Sequence, residues 1–170
     1  TTLAVDSTGN VWVANYCIAT SCPAASGAFP SVVSEFSPTG TPVSASGYTG
    51  GGLAESYGLA IDAENNVWIA NGGSPTSFQC STGSVTELNS SGQPISGANG
   101  YTAGGFNCPI AIAIDTNSSA WIVNNGNAHL TVLSTTNGQP ISGAAGYPAA
   151  GATDPLAFPS AVALDASHNA

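Results

Sequence analysis

Leu59-Ala60-Ile61-Asp62, a four-residue turn, then Val67-Trp68-Ile69-Ala70-Asn71: this stretch reads as one β-hairpin. Val, Ile and Trp suit a pleated, half-buried surface. The turn, Ala63-Glu64-Asn65-Asn66, carries Asn residues that tolerate positive φ and close tight connections. The same hairpin stands at Leu3-Ala4-Val5-Asp6 with Val11-Trp12-Val13-Ala14-Asn15. It returns at Ile112-Ala113-Ile114-Asp115 with Ala120-Trp121-Ile122-Val123-Asn124, and begins again at Val162-Ala163-Leu164-Asp165. The repeated acids Asp6, Asp62, Asp115 and Asp165 are 56, 53 and 50 residues apart. A near-fixed period of this size decides the architecture before any single residue does.

Working outward, a third apolar run follows each hairpin: Val32 to Phe36, Ser84 to Leu88, and Leu130 to Leu133. Its alternation suits a strand with one wet face, which predicts solvent-facing Glu35 and Glu87. A fourth short run starts at Gly40-Thr41-Pro42, Gly92-Gln93-Pro94 and Gly138-Gln139-Pro140. Proline cannot donate to a central ladder, so this run belongs at a sheet edge. Four antiparallel strands with an edge proline make one propeller blade. The expected fold is all-β, a partial β-propeller of four-stranded antiparallel blades, three blades plus one extra strand. As a single repeat domain over 1–170, blade 1 covers about 1–52, blade 2 about 53–105 and blade 3 about 106–155, and a fourth starts at about 156–170. A stacked solenoid would need shorter coils and no hairpin turns.

The hairpin with its following Ser84-Val85-Thr86-Glu87-Leu88 resembles the NHL repeat of bacterial β-propellers, including relatives of the streptogramin lyases. Gly92 to Tyr101 and Gly138 to Tyr147 are similar to segments of secreted repeat proteins of soil bacteria. The resemblance covers essentially the whole chain and implies a fold more than a function, since such propellers serve as scaffolds, binders and enzymes. Three blades and a strand fall short of a ring of roughly four to eight blades. Head-to-tail copies of the chain, or further blades of a longer parent, are the expected partners.

Composition narrows the function. The 170 residues hold no Lys or Arg and nine Asp or Glu, a formal net charge of −9. Phosphate neutralisation has no donors, which excludes nucleic acid, and attraction to anionic lipid fails for the same reason. No apolar run approaches the roughly 20 residues that span a bilayer, so no membrane insertion is expected. Stability must come from apolar burial and backbone ladders, from which tolerance of acidic surroundings follows as a hypothesis. An acid unfolding midpoint near ordinary carboxylate pKa values would count against it. Four cysteines in such a chain suggest disulfides and an extracellular or cell-surface location, as for a secreted bacterial protein.

Blade topology sorts the loops. The connections between the second and third strands, and between one blade and the next, share one face and vary in length. Function in rigid β scaffolds concentrates on such loops. All four cysteines fall there, and proximity favours Cys17–Cys22 and Cys80–Cys108 among the three pairings. Their spacing fits no common zinc pattern. Tyr48, Tyr101 and Tyr147 lie in the glycine-rich connections; Asn15, Asn71 and Asn124 close the second strand toward the same face. These six are the candidate ligand-binding residues. For the tyrosines, the competing role is packing over the adjacent blade; for the asparagines, capping of the strand end. Trp12, Trp68 and Trp121 fit core packing between blades.

No catalytic residue and no metal ligand is assigned. His129 and His168 occupy different repeat positions and no Ser-His-Asp arrangement is present. The repeated aspartates read first as acceptors for turn N–H groups, and otherwise as a ring of Ca²⁺ ligands, so no cofactor is expected beyond a possible Ca²⁺. The expected function is an extracellular propeller segment serving as a binding or structural, self-assembling module through its loop face. The alternative is a non-catalytic portion of a secreted propeller lyase or lactonase. Catalysis by this segment is not expected, and further blades of a longer parent could carry it.

Overall fold

The computed structural model describes residues 2–16, 31–73, 82–148 and 158–170. Among these residues nine strands follow in order: β1 Thr2–Val5, β2 Val11–Asn15, β3 Val32–Phe36, β4 Ser56–Ile61, β5 Val67–Asn71, β6 Ser84–Leu88, β7 Pro109–Ile114, β8 Ser119–Asn124 and β9 His129–Ser134. They form three antiparallel sheets, β1-β2-β3, β4-β5-β6 and β7-β8-β9. Among the described residues no helix occurs. The fold is all-β and propeller-like, and the register repeats with the sequence. Trp12 faces Ala4, Trp68 faces Ala60 and Trp121 faces Ala113 across each hairpin.

The aspartate before each turn fixes that register. The Asp62 Oδ1 accepts the Glu64 and Asn66 N–H groups at 3.0 and 2.8 Å, and its Oδ2 accepts the Trp68 Nε1–H at 2.9 Å. Asp6 binds the Thr8 and Asn10 N–H groups and Trp12, and Asp115 binds the Asn117 and Ser119 N–H groups and Trp121. Asp165 binds the N–H groups of Ser167 and Asn169 in the same way. One carboxylate thus closes the turn and anchors the buried indole. Burial raises the Asp6 pKa, but hydrogen bonds from Trp12, Thr8 and the backbone outweigh it and hold the carboxyl below its ordinary value.

The fourth run differs from a full strand. It meets β3, β6 and β9 at two isolated bridges each, Phe36–Pro42 with Val33–Tyr48, Leu88–Pro94 with Val85–Tyr101, and Leu133–Pro140 with Leu130–Tyr147. Between its bridges the fourth run uses more residues than the facing strand, so the ladder cannot continue. A serine hydroxyl replaces a ladder carbonyl there. Ser44, Ser96 and Ser142 Oγ accept the N–H groups of Glu35, Glu87 and Val132 at 2.8 to 3.0 Å.

The core lies between sheets. Trp12, Ala14 and Val33 of the first sheet pack against Leu59, Val67, Ile69 and Leu88 of the second. Trp68, Ala70 and Val85 of the second pack against Ile112, Ala120, Ile122 and Leu133 of the third. The first and second sheets therefore present Trp12 and Trp68 forward to the apolar back of the next. Full burial of such a side chain contributes roughly 1.5–3 kcal/mol.

Candidate binding face

The third strands carry acids that the alternation marks as solvent-facing, and the structure corrects this. Glu35 and Glu87 are each 4% exposed. The Tyr48 hydroxyl donates to Glu35 Oε2 at 2.6 Å and the Tyr101 hydroxyl to Glu87 Oε2 at 2.6 Å. Each ring also stacks on the tryptophan of its own sheet, Tyr48 on Trp12 at 5.4 Å and Tyr101 on Trp68 at 5.6 Å between centroids. Burial first, then the Glu35 hydrogen bond and charge, push the Tyr48 pKa up to about 12; Tyr101 is raised for the same reasons. Burial also raises the Glu87 pKa, against the Tyr101 hydrogen bond. Tyr147 stands apart: Val132 occupies the position matching Glu87, and Tyr147 is 46% exposed.

The asparagines that end the second strands are wired inward. Asn71 is fully buried; its Oδ1 accepts the Ser56 hydroxyl, and its Nδ2 donates to Ser84 and Thr86. Asn124, equally buried, accepts the Asn107 N–H and donates to His129 O and Thr131. Asn15, half-buried, donates to Ser34. The three asparagines and three tyrosines do not converge on one pocket; they recur sheet by sheet.

These bonds tie the connections between sheets to the loop ends. The Gly72 N–H donates to Glu55 O, the Cys108 N–H to Thr82 O, and the Asn125 N–H to Cys108 O. Thr86 and Thr131 hydroxyls hold Gly51 O and Gly104 O at 2.6 and 2.7 Å. The result is a braced face opposite the aspartate turns. Cys108 lies on it and is disulfide-bonded. Cys17, Cys22 and Cys80, with the loops that hold them, lie outside the described residues.

The face also carries a pair that repeat reading missed. Tyr16 and Tyr57 approach at 5.2 Å between centroids, tilted by 51°, and both are half-buried. Burial, then the hydrogen bond to Tyr16, raise the Tyr57 pKa. The corresponding position in the third sheet is Ile110. A lone aromatic at a repeat position that holds Thr1, Ile110 and Ser160 in the other copies was the available signal.

The histidines do not meet. The His129 ring nitrogen Nδ1 lies 2.9 Å from Ala145 O, whereas His168 sits in the Asp165 turn. Among the described residues no group of three or more His, Cys, Asp or Glu is placed to hold a metal. A cleft of about 760 Å³ opens between the second and third sheets and includes Glu64, Glu87, Tyr101 and Thr136 in its lining.

The fold resembles that of PorZ from Porphyromonas gingivalis. The two superpose with a TM-score of 0.53 at 14% identity, over 82% of this chain and 20% of that one. PorZ is described as an essential bacterial surface component of the type-IX secretion system. The chain thus spans about a fifth of that protein. No protein-family model matches the sequence, and no curated protein matches it.

Proposed function

We propose that this chain is an extracellular propeller segment that acts as a binding and structural scaffold, engaging partners through its loop face. The observation that carries the reading is a division of labour among polar groups. The repeated Asp, Glu and Asn side chains are bound within their own repeats, whereas the unrepeated Tyr16 and Tyr57, bonded to each other, stand half-buried on the braced face. Tyrosine rings offer apolar faces with polar tips, suited to stacking on neutral polyhydroxylated ligands. A net charge of −9 without any Lys or Arg disfavours polyanions. The surface role described for PorZ agrees with an extracellular location for this segment.

The same reading pairs Cys108 with Cys80 and Cys17 with Cys22. The Cys108 N–H donates to Thr82 O at 3.1 Å, and Thr82 follows Cys80 by two residues in the sequence, which supports the pairing. Ca²⁺ has little to recruit at the aspartates, whose oxygens already accept N–H groups.

Co-sedimentation with insoluble cellulose and chitin, beside retention on heparin beads, tests the reading. Retention on a neutral polysaccharide that Tyr57→Ala reduces at least tenfold is expected, with none on heparin. Heparin retention, or neutral-polymer binding indifferent to Tyr57→Ala, would contradict it.

A further inference from the structure

One kind of contact joins each sheet to the next, and its two halves are unpaired among the described residues of the first and third repeats. Gly92 and Gly138 occupy matching turns, each two residues before the bridged proline of the fourth run. A Cβ added at Gly92 would meet the Tyr48 ring at 2.1 Å, and one at Gly138 would meet the Tyr101 ring at 2.1 Å. The tyrosine of one repeat therefore seats on the glycine turn of the following repeat, where only glycine leaves room. Gly40 is the matching turn of the first repeat, with φ +80, and among the described residues nothing lies within 4 Å of its added Cβ. Tyr147 is the matching ring of the third repeat and is exposed.

The apolar seams show the same complementarity. Leu59 is 5% exposed against the first sheet, whereas its counterpart Leu3 is 60% exposed and Val5 is 56% exposed. The forward face of the third sheet repeats the Trp68 side of the inner seam, with Trp121 and Val123 in place of Trp68 and Ala70. Resting on the scaffold reading above, we propose that two copies of this chain join head to tail, the Tyr147 ring of one seating on Gly40 of the other. The partner is a second copy because its first repeat offers the surface that the second and third repeats already offer to Tyr48 and Tyr101. Heterologous contacts of this kind form rings when the rotation closes.

The C-terminal segment fits this joint. Leu164 and Asp165 flank a cleft shared with Ile114 of β7 and the turn residue Asp115, and Asn125 Nδ2 donates to Pro159 O. That is where a following first strand belongs, and Val162-Ala163-Leu164-Asp165 matches Leu3-Ala4-Val5-Asp6. In the joined pair the segment pairs with β2 of the other copy in the register of its β1, and Asp165 takes the Trp12 indole. The exchanged strands are alike, so replacement changes few contacts while Tyr147 and the facing seam become buried. Repulsion between two chains of −9 makes the joint tighter as salt rises.

Sedimentation equilibrium of the 170-residue chain tests the proposal, using Tyr147→Ala and Gly40→Asn. Asn keeps the left-handed turn and fills the socket. Gly143→Asn, at another positive-φ glycine with open space around it, is the control. Near-UV circular dichroism verifies folding of every variant. The wild type and the control should rise with concentration from 16.6 kDa to about 33 kDa, twice the chain mass. Each socket variant alone should stay a monomer over that range. Their equimolar mixture should regain a dimer, at least tenfold weaker than the wild type, because it keeps one intact joint. A socket variant that dimerises like the wild type, or a mixture that stays monomeric, overturns the Tyr147–Gly40 joint. A wild type that is monomeric at every concentration overturns the second copy as occupant and leaves the face to a further repeat of a longer chain. Tyr57-dependent polysaccharide retention, measured on the same variants, separates failure of the joint from failure of the scaffold reading.

Discussion

A single methyl group at Gly92 probes the seam between sheets. Gly92 has φ +73, so alanine there takes a left-handed backbone that costs about 1–2 kcal/mol. Gly143 has φ +77 and carries the same backbone cost, but open space surrounds its added Cβ. At Gly92 the new Cβ would stand 2.1 Å from the Tyr48 ring. The ring is stacked on Trp12 and bonded to Glu35, so it cannot swing clear without losing both contacts. Overpacking of this kind costs typically about 1–3 kcal/mol. Gly92→Ala should therefore be less stable than Gly143→Ala by about 1–3 kcal/mol, the backbone term cancelling in the comparison. Urea unfolding followed by tryptophan fluorescence gives both values, at a concentration where the chain is monomeric. A lower midpoint with an unchanged slope is expected for Gly92→Ala. Equal midpoints for the two variants would refute the seated tyrosine.

Asp62→Ala removes the acceptor for two turn N–H groups and the buried Trp68 indole, and should lower stability by about 1–3 kcal/mol, measured by thermal melting. Asp165→Ala, in an exposed turn without a tryptophan, should melt nearly as the wild type does. The pH dependence has two limbs, readable by circular dichroism against pH. The raised pKa of Tyr48 means that its contribution is whole below the ordinary tyrosine value near 10 and is lost as pH rises through about 12. Tyrosinate absorbance from Tyr48 and Tyr101 should therefore appear together with unfolding rather than before it. On the acid side Asp6 and Glu87 oppose each other. The lowered Asp6 pKa withdraws stability as pH falls through it, whereas the raised Glu87 pKa relieves a buried charge as pH falls through it. The acid limb should be shallow, and a steep loss of structure near pH 4 would contradict this. A reductant should lower the urea midpoint by an amount equal to roughly 2–4 kcal/mol through the Cys108 disulfide, and an unchanged midpoint would count against a stabilising bridge.

The hairpin pattern made the sheets and the aspartate turns legible, because Asp62 and Trp68 sit within one local unit. Glu87 was not legible. In isolation Ser84 to Leu88 alternates like a strand with a wet face, yet every residue of β6 is buried. The cover comes from Tyr101, which returns from the fourth run to accept the role of partner for Glu87. The fourth strand itself was overread: Pro94 marked an edge, but the serine that replaces the ladder carbonyl carries no strand signal. At the binding face, Tyr16 and Tyr57 are far apart in sequence and match nothing in the other repeats, so only the fold brings them together. Gly40 and Gly92 look alike in sequence; what differs is whether a preceding repeat supplies a ring.

The central claim is that like sheets stack with each tryptophan locked to its own turn aspartate, Trp12 and Trp68 facing the next sheet. Hydrogen exchange of the three indole N–H groups by ¹⁵N NMR tests it most directly. The account predicts protected signals for Trp12, Trp68 and Trp121, and selective loss of the Trp68 protection in Asp62→Ala. Rapid exchange of the wild-type indoles, or protection of Trp68 that survives removal of Asp62, would contradict it.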